Sequence, residues 1–431
     1  MSSTSYLSRS VTPSTATSWT VSFWFKVTNI NPSSGTPYLW SCGSSSGGHG
    51  IYYNNPTDVL RYYGHSGYTD AALSSGVLRD TNAWYHIVLS VNAGTGTSYL
   101  NGVQQGSTIS SIAPLNAHTG NLMAVNAYVG GLSTYDDGGF LMSHFHFIDG
   151  TAYPASTFGE TDSTTGQWKI KTNVSVTYGT NGFFLFKDNA SANDQSGNSN
   201  NFTATGTISN TEDCPSNVFC TLNPLYNQTT GQGVSLTKGN TRCEYTPNSS
   251  RSAFGTIAPS SGKYYFECKP HNNTTMVVGV VNMAWSDING ASGYGFHDNA
   301  LNFGYDLSGN KTSGGSASSF GSAVNNNDIV QVAMDLDNSK LYFGVNGTWQ
   351  NSGDPTSGST GTGSAFDLAA GANYTAACRM RNGTDLDFNF GNGTFRGAAI
   401  SSEGTNASNI GKFEYDVPTG YTALSTKGLN E

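Results

Sequence analysis

Charge is what this sequence has least of. Asp, Glu, Lys and Arg together make up 11% of its 431 residues, against ~25% in an ordinary soluble chain. A helical bundle needs Glu, Lys and Arg on its exposed faces, so that class is excluded. The 19 Lys and Arg are outnumbered by 28 Asp and Glu, for a formal charge of −9. A phosphate-backbone partner demands a basic patch, so no nucleic-acid partner is expected. No apolar run approaches the ~18 residues of a membrane-spanning helix, and membrane insertion is not expected. The opening stretch, Met1 to Ser10, lacks the apolar segment of a signal peptide, which predicts an intact product outside the usual secretory route. Cysteine is sparse too, with Cys42, Cys214, Cys220, Cys243, Cys268 and Cys378 widely scattered. Their spacing is neither a disulfide framework nor a zinc pattern, so most are expected to be free and buried. Cys214 and Cys220 are close enough in sequence to bridge a loop.

Polarity comes instead from Ser, Thr, Asn and 53 Gly, and aromatics stand at 12%. A disordered chain would be poor in aromatics, and 13 Pro beside 53 Gly is far from a collagen-like composition. What remains is a turn-rich all-β protein, long enough for two or three domains.

In the first 150 residues, TSWTVSFWFKV places Trp19, Val21, Phe23, Phe25 and Val27 on one face of a strand. WYHIVLSV does the same with Tyr85, Ile87, Leu89 and Val91, and leads through a turn into the hairpin signal Asn101-Gly102. A third strand, GGFLMSHFHFI, closes at Asp149-Gly150. Alternating strands separated by turns describe antiparallel β-sandwiches. These three motifs, in this order, resemble the laminin-G/concanavalin A-like lectin family, which implies a jelly roll over residues 1–158.

Residues 159–229 read as a connecting segment with edge strands. GFFLFK at 182–187 and DQSGNSNNF at 194–202 resemble a segment that follows this lectin domain in phage structural proteins. TLNPL at 221–225 resembles the link to a second module. From 230 to 431 four motifs appear in sequence: GKYYFEC, VVGVV, DIVQVAMDLD and KLYFGVNG. Their order resembles the SPRY/B30.2 family and implies a second β-sandwich with a C-terminal extension. In that pattern Asp335 and Asp337 have a structural role. FEYDVPTGYTAL at 413–424 resembles the terminus of marine phage virion proteins. The fold class is therefore all-β: two antiparallel β-sandwiches, a concanavalin A-like jelly roll and a SPRY-like sandwich, joined by an extended segment.

Glycan hydrolysis is the enzymatic reading to test, because it needs two carboxyls ~5 Å apart, one of them a raised-pKa acid. The laminarinase-like relatives carry Glu-x-Asp-x-x-Glu. Here Glu160-Thr-Asp162 is followed by Thr165 where the third carboxylate should stand. Nucleophile elbow, phosphate loop and His-Glu-x-x-His are lacking as well, so no catalytic residue is assigned and no enzyme is expected. His144 and His146, two apart on a strand, share a face and read as sandwich-face residues before they read as half of a metal site. No cofactor is required. Calcium at the sandwich rim is what the lectin resemblance implies, with Asp136 and Asp137 as candidate ligands, although two adjacent Asp in a Gly-rich turn are also ordinary turn chemistry.

Sugar binding needs aromatics that stack on pyranose faces, with amides and carboxylates to hold hydroxyls. The segments IYYNN at 51–55 and RYYGHSGY at 61–68, read as loops, offer Tyr52, Tyr53, Tyr62, Tyr63 and Tyr68. In the second sandwich the loops at 285–294 and 349–354 offer Trp285, Asp287 and Trp349. Core packing is the competing role for each of these rings. The resemblances imply a bacteriophage virion protein at the particle surface, assembled in the host cytoplasm. The expected role is a tail-fibre-like adhesin for host attachment, with other virion proteins and a host cell-surface glycan or receptor as partners. A homo-oligomer, a trimer by family, is expected. The alternatives are a capsid decoration or vertex protein and a host polysaccharide depolymerase.

Overall fold

Trp19–Val27 is a single strand, and its odd-numbered residues Trp19, Val21, Phe23, Phe25 and Val27 are all buried in the core between two sheets. The computed structural model describes residues 5–12, 16–28, 36–44, 47–54, 57–64, 69–116, 122–129, 132, 140–188, 190–226, 233–272, 274–285 and 296–430. Among these the chain divides into two compact units, Met1–Asn210 with Cys214–Ser216, and Thr211–Asp213 with Asn217–Glu431. Each is a pair of predominantly antiparallel sheets. Helical structure among the described residues is limited to three-residue 3-10 turns such as Ala155–Thr157 and Phe296–Asp298. None is long and apolar enough to cross a membrane. All six cysteines are free, and all but Cys214 are buried.

In the first unit, the described residues of one sheet run in the order Thr203–Thr205, Tyr6–Ser10, Leu122–Val125, Tyr38–Ser44, Gly47–Asn54, Val59–Gly64, Thr69–Ala72. The facing sheet runs Phe183–Leu185, Phe140–Asp149, Trp19–Val27, Trp84–Asn92, Thr95–Leu100, Val103–Ile109. Residues beyond 158 thus supply an edge strand to each sheet.

Alternation alone would leave the even face of Trp19–Val27 wet, yet Thr20, Ser22, Trp24 and Lys26 are buried as well. The chain after residue 150 folds over that face. The Thr20 hydroxyl donates to the Thr151 carbonyl at 2.9 Å and accepts from the Tyr153 amide at 2.8 Å. The Trp24 ring stacks on His86 at 4.8 Å, and His86 stacks in turn on Trp168 at 6.0 Å. Trp168 Nε1 donates to His86 Nδ1 at 3.0 Å. The other ring nitrogen therefore carries the proton and donates to Ser22 Oγ, 2.9 Å away.

The polar stretch 194–202 is a knot of side-chain-to-backbone bonds. Asp194 Oδ1 accepts from the amides of Phe184 and Ser196 at 2.9 and 2.8 Å. Its Oδ2 accepts from the Asn200 amide and the Ser196 hydroxyl, both at 2.8 Å. The Asn200 side chain donates to the carbonyls of Thr180 and Gly182, and its Oδ1 accepts from Arg9. These bonds pin the edge strand Phe183–Leu185 in place.

In the second unit the larger sheet runs Ser235–Thr237, Arg242–Tyr245, Thr384–Asn389, Lys263–Asn272, Val330–Asp335, Lys340–Val345, Thr348–Trp349. Thr422–Ala423 adds parallel to Lys263–Asn272, against the antiparallel pattern of the other named strands among the described residues. The smaller sheet runs Arg251–Phe254, Tyr374–Met380, Met276–Asn282, Phe303–Asp306, Asn310–Ser313, Ser316–Ser319. The motif residues explain themselves as structure. Gly279 pairs with Gly304, and a Cβ on Gly279 would lie 2.0 Å from the Phe303 carbonyl oxygen. Asp335 accepts from the Asn338 amide and side chain, both at 2.9 Å, and pairs with Lys263 at 3.0 Å. Asp337 Oδ1 accepts from the Gly262 amide at 2.7 Å.

Candidate functional site

The two Tyr-rich segments expected as loops are strands, Gly47–Asn54 and Val59–Gly64. A strand turns alternate side chains to opposite faces, so the pairs of adjacent tyrosines split. Tyr53 and Tyr62 face the core at 0% exposure and have no surface to offer a ligand. Tyr53 donates to Asp58 Oδ1 at 3.0 Å, and the Tyr62 hydroxyl lies 2.6 Å from His49 Nδ1. Tyr52 and Tyr63 take the outward face of the sheet.

Cross-strand pairing builds a shelf there. Tyr38 is opposite Tyr52, Tyr52 opposite Arg61, and Tyr63 opposite both Gly50 and Asp70. Ring centroids of Tyr38 and Tyr52 are 5.5 Å apart, and those of Tyr38 and Tyr128 are 4.9 Å apart. The Tyr38 ring lies over Gly50, where a Cβ would be 2.6 Å from its edge. Tyr128 is brought in by a segment pinned to the sheet: Ser41 Oγ donates to the Ala127 carbonyl at 2.6 Å and accepts from the Val129 amide at 3.1 Å.

Polar groups flank the rings. The Tyr52 hydroxyl donates to Asp70 Oδ1 at 2.9 Å, and Arg61 Nε donates to the same oxygen at 2.8 Å. Burial and that bond to Asp70 push the Tyr52 hydroxyl above its ordinary range. Its hydrogen bond to Asp70 holds the Arg61 guanidinium above its ordinary value. Tyr52 is 8% exposed, so it works as a backing for the shelf, while Tyr38, Tyr63 and Tyr128 are half-buried and offer ring surface. Tyr38, Tyr128 and Asp70 were not singled out from sequence, because their membership depends on which strands pair.

Trp285 is half-buried against Phe254, centroids 6.2 Å apart. Trp349 is half-buried against Tyr265 at 6.4 Å. Both belong to the second unit, whereas the shelf belongs to the first. Tyr68, Asp136, Asp137 and Asp287 lie outside the described residues. His144 and His146 do not form a ligand pair. The strand bulges between Ser143 and His146, with His144 at φ 48°. His146 stacks on Phe184 at 4.0 Å, and its Nδ1 is 2.8 Å from the Tyr178 hydroxyl. Burial pushes His144 down to about 4 and pushes His146 well below its ordinary value, which keeps both neutral. Among the described residues no group of three or more His, Cys, Asp or Glu is placed to hold a metal.

Glu160 and Asp162 lie at a short hairpin, Gly159–Thr161 against Trp168–Ile170. Lys169 pairs with both carboxylates, at 3.4 and 3.2 Å. Backbone donors at Thr165 and Thr164 hold Asp162 down to about 2. That is the environment of a fixed anion, not of a proton donor.

The Laminin_G_3 family, described as the concanavalin A-like lectin/glucanases superfamily, matches residues 2–150. No curated protein matches the chain. Similar solved structures include the SPRY domain of human HERC1, at 14% identity and TM-score 0.31, covering 39% of this chain and 96% of that one. A stonustoxin structure is similar at 15% identity and TM-score 0.30, covering 39% of this chain and 27% of that one. A human SPRY domain is similar at 17% identity and TM-score 0.27, covering 36% and 93%. The chain is thus an all-β protein of two sandwiches, and over residues 2–150 it is similar to the concanavalin A-like lectin/glucanases superfamily.

Proposed function

We propose that this chain is a non-enzymatic bacteriophage virion protein, a tail-fibre-like surface adhesin whose lectin-like unit docks on host-surface glycan. The observation that carries the reading is the outward shelf of Tyr38, Tyr63 and Tyr128, flanked by the Arg61–Asp70 pair. Tyrosine rings give apolar area for the C–H face of a sugar with little rotamer freedom to lose. A carboxylate and a guanidinium beside them take and give hydrogen bonds to hydroxyls. The phage assignment is supported by the motif resemblances at 182–202, 221–225 and 413–424. Weak single-site affinity is made firm by repeated copies on a particle, in keeping with a homo-oligomer, a trimer by family, anchored to other virion proteins. No cofactor is needed for stacking.

The test is binding of the purified chain to an array of bacterial surface glycans, beside the double variant Tyr38→Ala/Tyr63→Ala. Both rings face outward, so the variant should keep its unfolding midpoint and lose glycan binding by about tenfold or more. Equal binding by variant and parent sinks the shelf as the site. Release of reducing sugar would replace the adhesin with a depolymerase. Labelling of the head rather than the tail in electron micrographs would select a capsid decoration role.

A further inference from the structure

The core of the second unit holds four thiols, Cys220, Cys243, Cys268 and Cys378, all 0% exposed. Two of them meet across the sandwich: Cys243 on Arg242–Tyr245 in the larger sheet and Cys378 on Tyr374–Met380 in the smaller. Their sulfurs are 3.7 Å apart. The contact falls at a corner where the chain passes twice between the sheets. Tyr374–Met380 runs into Thr384–Asn389 through residues 381–383, and Arg242–Tyr245 runs into Arg251–Phe254 through 246–250. The two crossings are tied to each other. The Asn382 amide donates to the Pro247 carbonyl at 3.0 Å, and the Gly383 amide to the Tyr245 carbonyl at 2.9 Å. Each cysteine stands two residues in from its strand's end at that corner.

We propose that Cys243 and Cys378 are an oxidisable pair whose disulfide cross-links the two sheets of the second unit. A disulfide is ~2.05 Å long, so the sulfurs have about 1.7 Å to close, within the sweep of rotation about two Cα–Cβ bonds. The step needs an oxidant, here a low-molecular-weight disulfide such as oxidised glutathione. One cysteine thiolate attacks it, forming a mixed disulfide and expelling a glutathione thiolate. The second cysteine thiolate displaces the other glutathione, which leaves the protein disulfide and two reduced glutathiones. Neither cysteine has exposed surface in the closed unit, and burial pushes the Cys243 thiol well above its ordinary value. Exchange therefore runs while the corner is still open during folding, and closure seals the product away from reductant. Cys268 is worse placed for Cys243, because Thr384–Asn389 stands between their two strands. The bond joins residues 135 apart, so it removes much of the freedom of the unfolded chain. No residue of the tyrosine shelf takes part, so the proposal does not depend on it.

Refolding the full chain from urea in a mixture of reduced and oxidised glutathione tests it. Free thiols are then alkylated in denaturant, and the digest is searched for linked peptides by mass spectrometry. A Cys243–Cys378 link should be found, and Cys268→Ala should form it as the parent does. The linked chain should hold its second unit folded against urea with a folded-to-unfolded ratio raised about thirtyfold or more, and dithiothreitol added in urea should abolish the gain. Alkylation of both Cys243 and Cys378 after oxidative refolding overturns the proposal. So does a link that joins Cys378 to Cys268 instead, or a Cys243–Cys378 link that leaves the second unit's urea midpoint unmoved.

Discussion

Asp194 offers a sharp test of whether the conspicuous polar stretch at 194–202 is a ligand site or a structural lock. Its carboxylate takes four hydrogen bonds, three of them from main-chain amides at Phe184, Ser196 and Asn200. In Asp194→Ala all three amides lose their acceptor. Phe184 and Asn200 are 8% and 9% exposed, so water does not readily replace it at those two. At about 1–3 kcal/mol per stranded donor, the first unit should lose about 3–5 kcal/mol. That corresponds to a fall of roughly 10 °C in its melting temperature. Asp194→Asn keeps one acceptor oxygen and should lose about half as much. Urea unfolding followed by tryptophan fluorescence, with the two units resolved by separate transitions, measures this. Only the first-unit transition should move, and chelators should leave it where it is. A loss below about 1 kcal/mol, within the range of an ordinary surface change, would refute the assignment of this carboxylate as a backbone anchor.

Gly279→Ala should be severely destabilising to the second unit, because its methyl would meet the Phe303 carbonyl oxygen at 2.0 Å. Failure to fold or a loss beyond about 3 kcal/mol is expected, and a mild effect in urea unfolding would show that the strands can separate. Burial pushes Glu267 up to about 7 against the pull of its bonds from the Glu414 and Tyr415 amides. Burial likewise pushes Asp387 up to about 7. The folded state therefore keeps protons that the unfolded chain releases near pH 4. Stability from these groups is greatest below that pH and falls as pH rises towards 7, by about 3 kcal/mol for Glu267. Urea midpoints for the second unit at pH 5 and pH 8 check the sign, and a midpoint that rises over that window contradicts it. Trp168→Ala strips the outer ring from the His86 stack. It should cost about 3 kcal/mol and raise the His86 pKa from about 3, readable by NMR titration; an unmoved titration would mean that the ring does not shield the imidazole.

How much of this was legible in the sequence depends on the range of the signal. Trp19, Val21, Phe23, Phe25 and Val27 announce a strand because their period of two is local, and all five are buried. What covers the opposite face was not legible, since Trp168 reaches His86 through tertiary folding alone. Edge strands such as Phe183–Leu185 and Thr203–Thr205 are three residues long, too short to show any period. The tyrosine segments were misread as loops because Asn and Gly surround them, while the register of Gly47–Asn54 against Val59–Gly64 shows two paired strands. Tyr38 joins Tyr52 only through a register that shifts at a bulge between Tyr38 and Trp40, and no pattern along one strand encodes that.

The parallel addition of Thr422–Ala423 beside Lys263–Asn272 has a consequence for how the molecule is made. Val218 and Cys220 are stitched to the same late stretch, through the Thr426 amide to the Val218 carbonyl and the Cys220 amide to the Leu424 carbonyl. On the ribosome the strand that completes the larger sheet emerges long after its partner. The earlier unit is free to fold while its successor waits with an open flank, which makes that waiting interval the stage most exposed to aggregation and most in need of a chaperone.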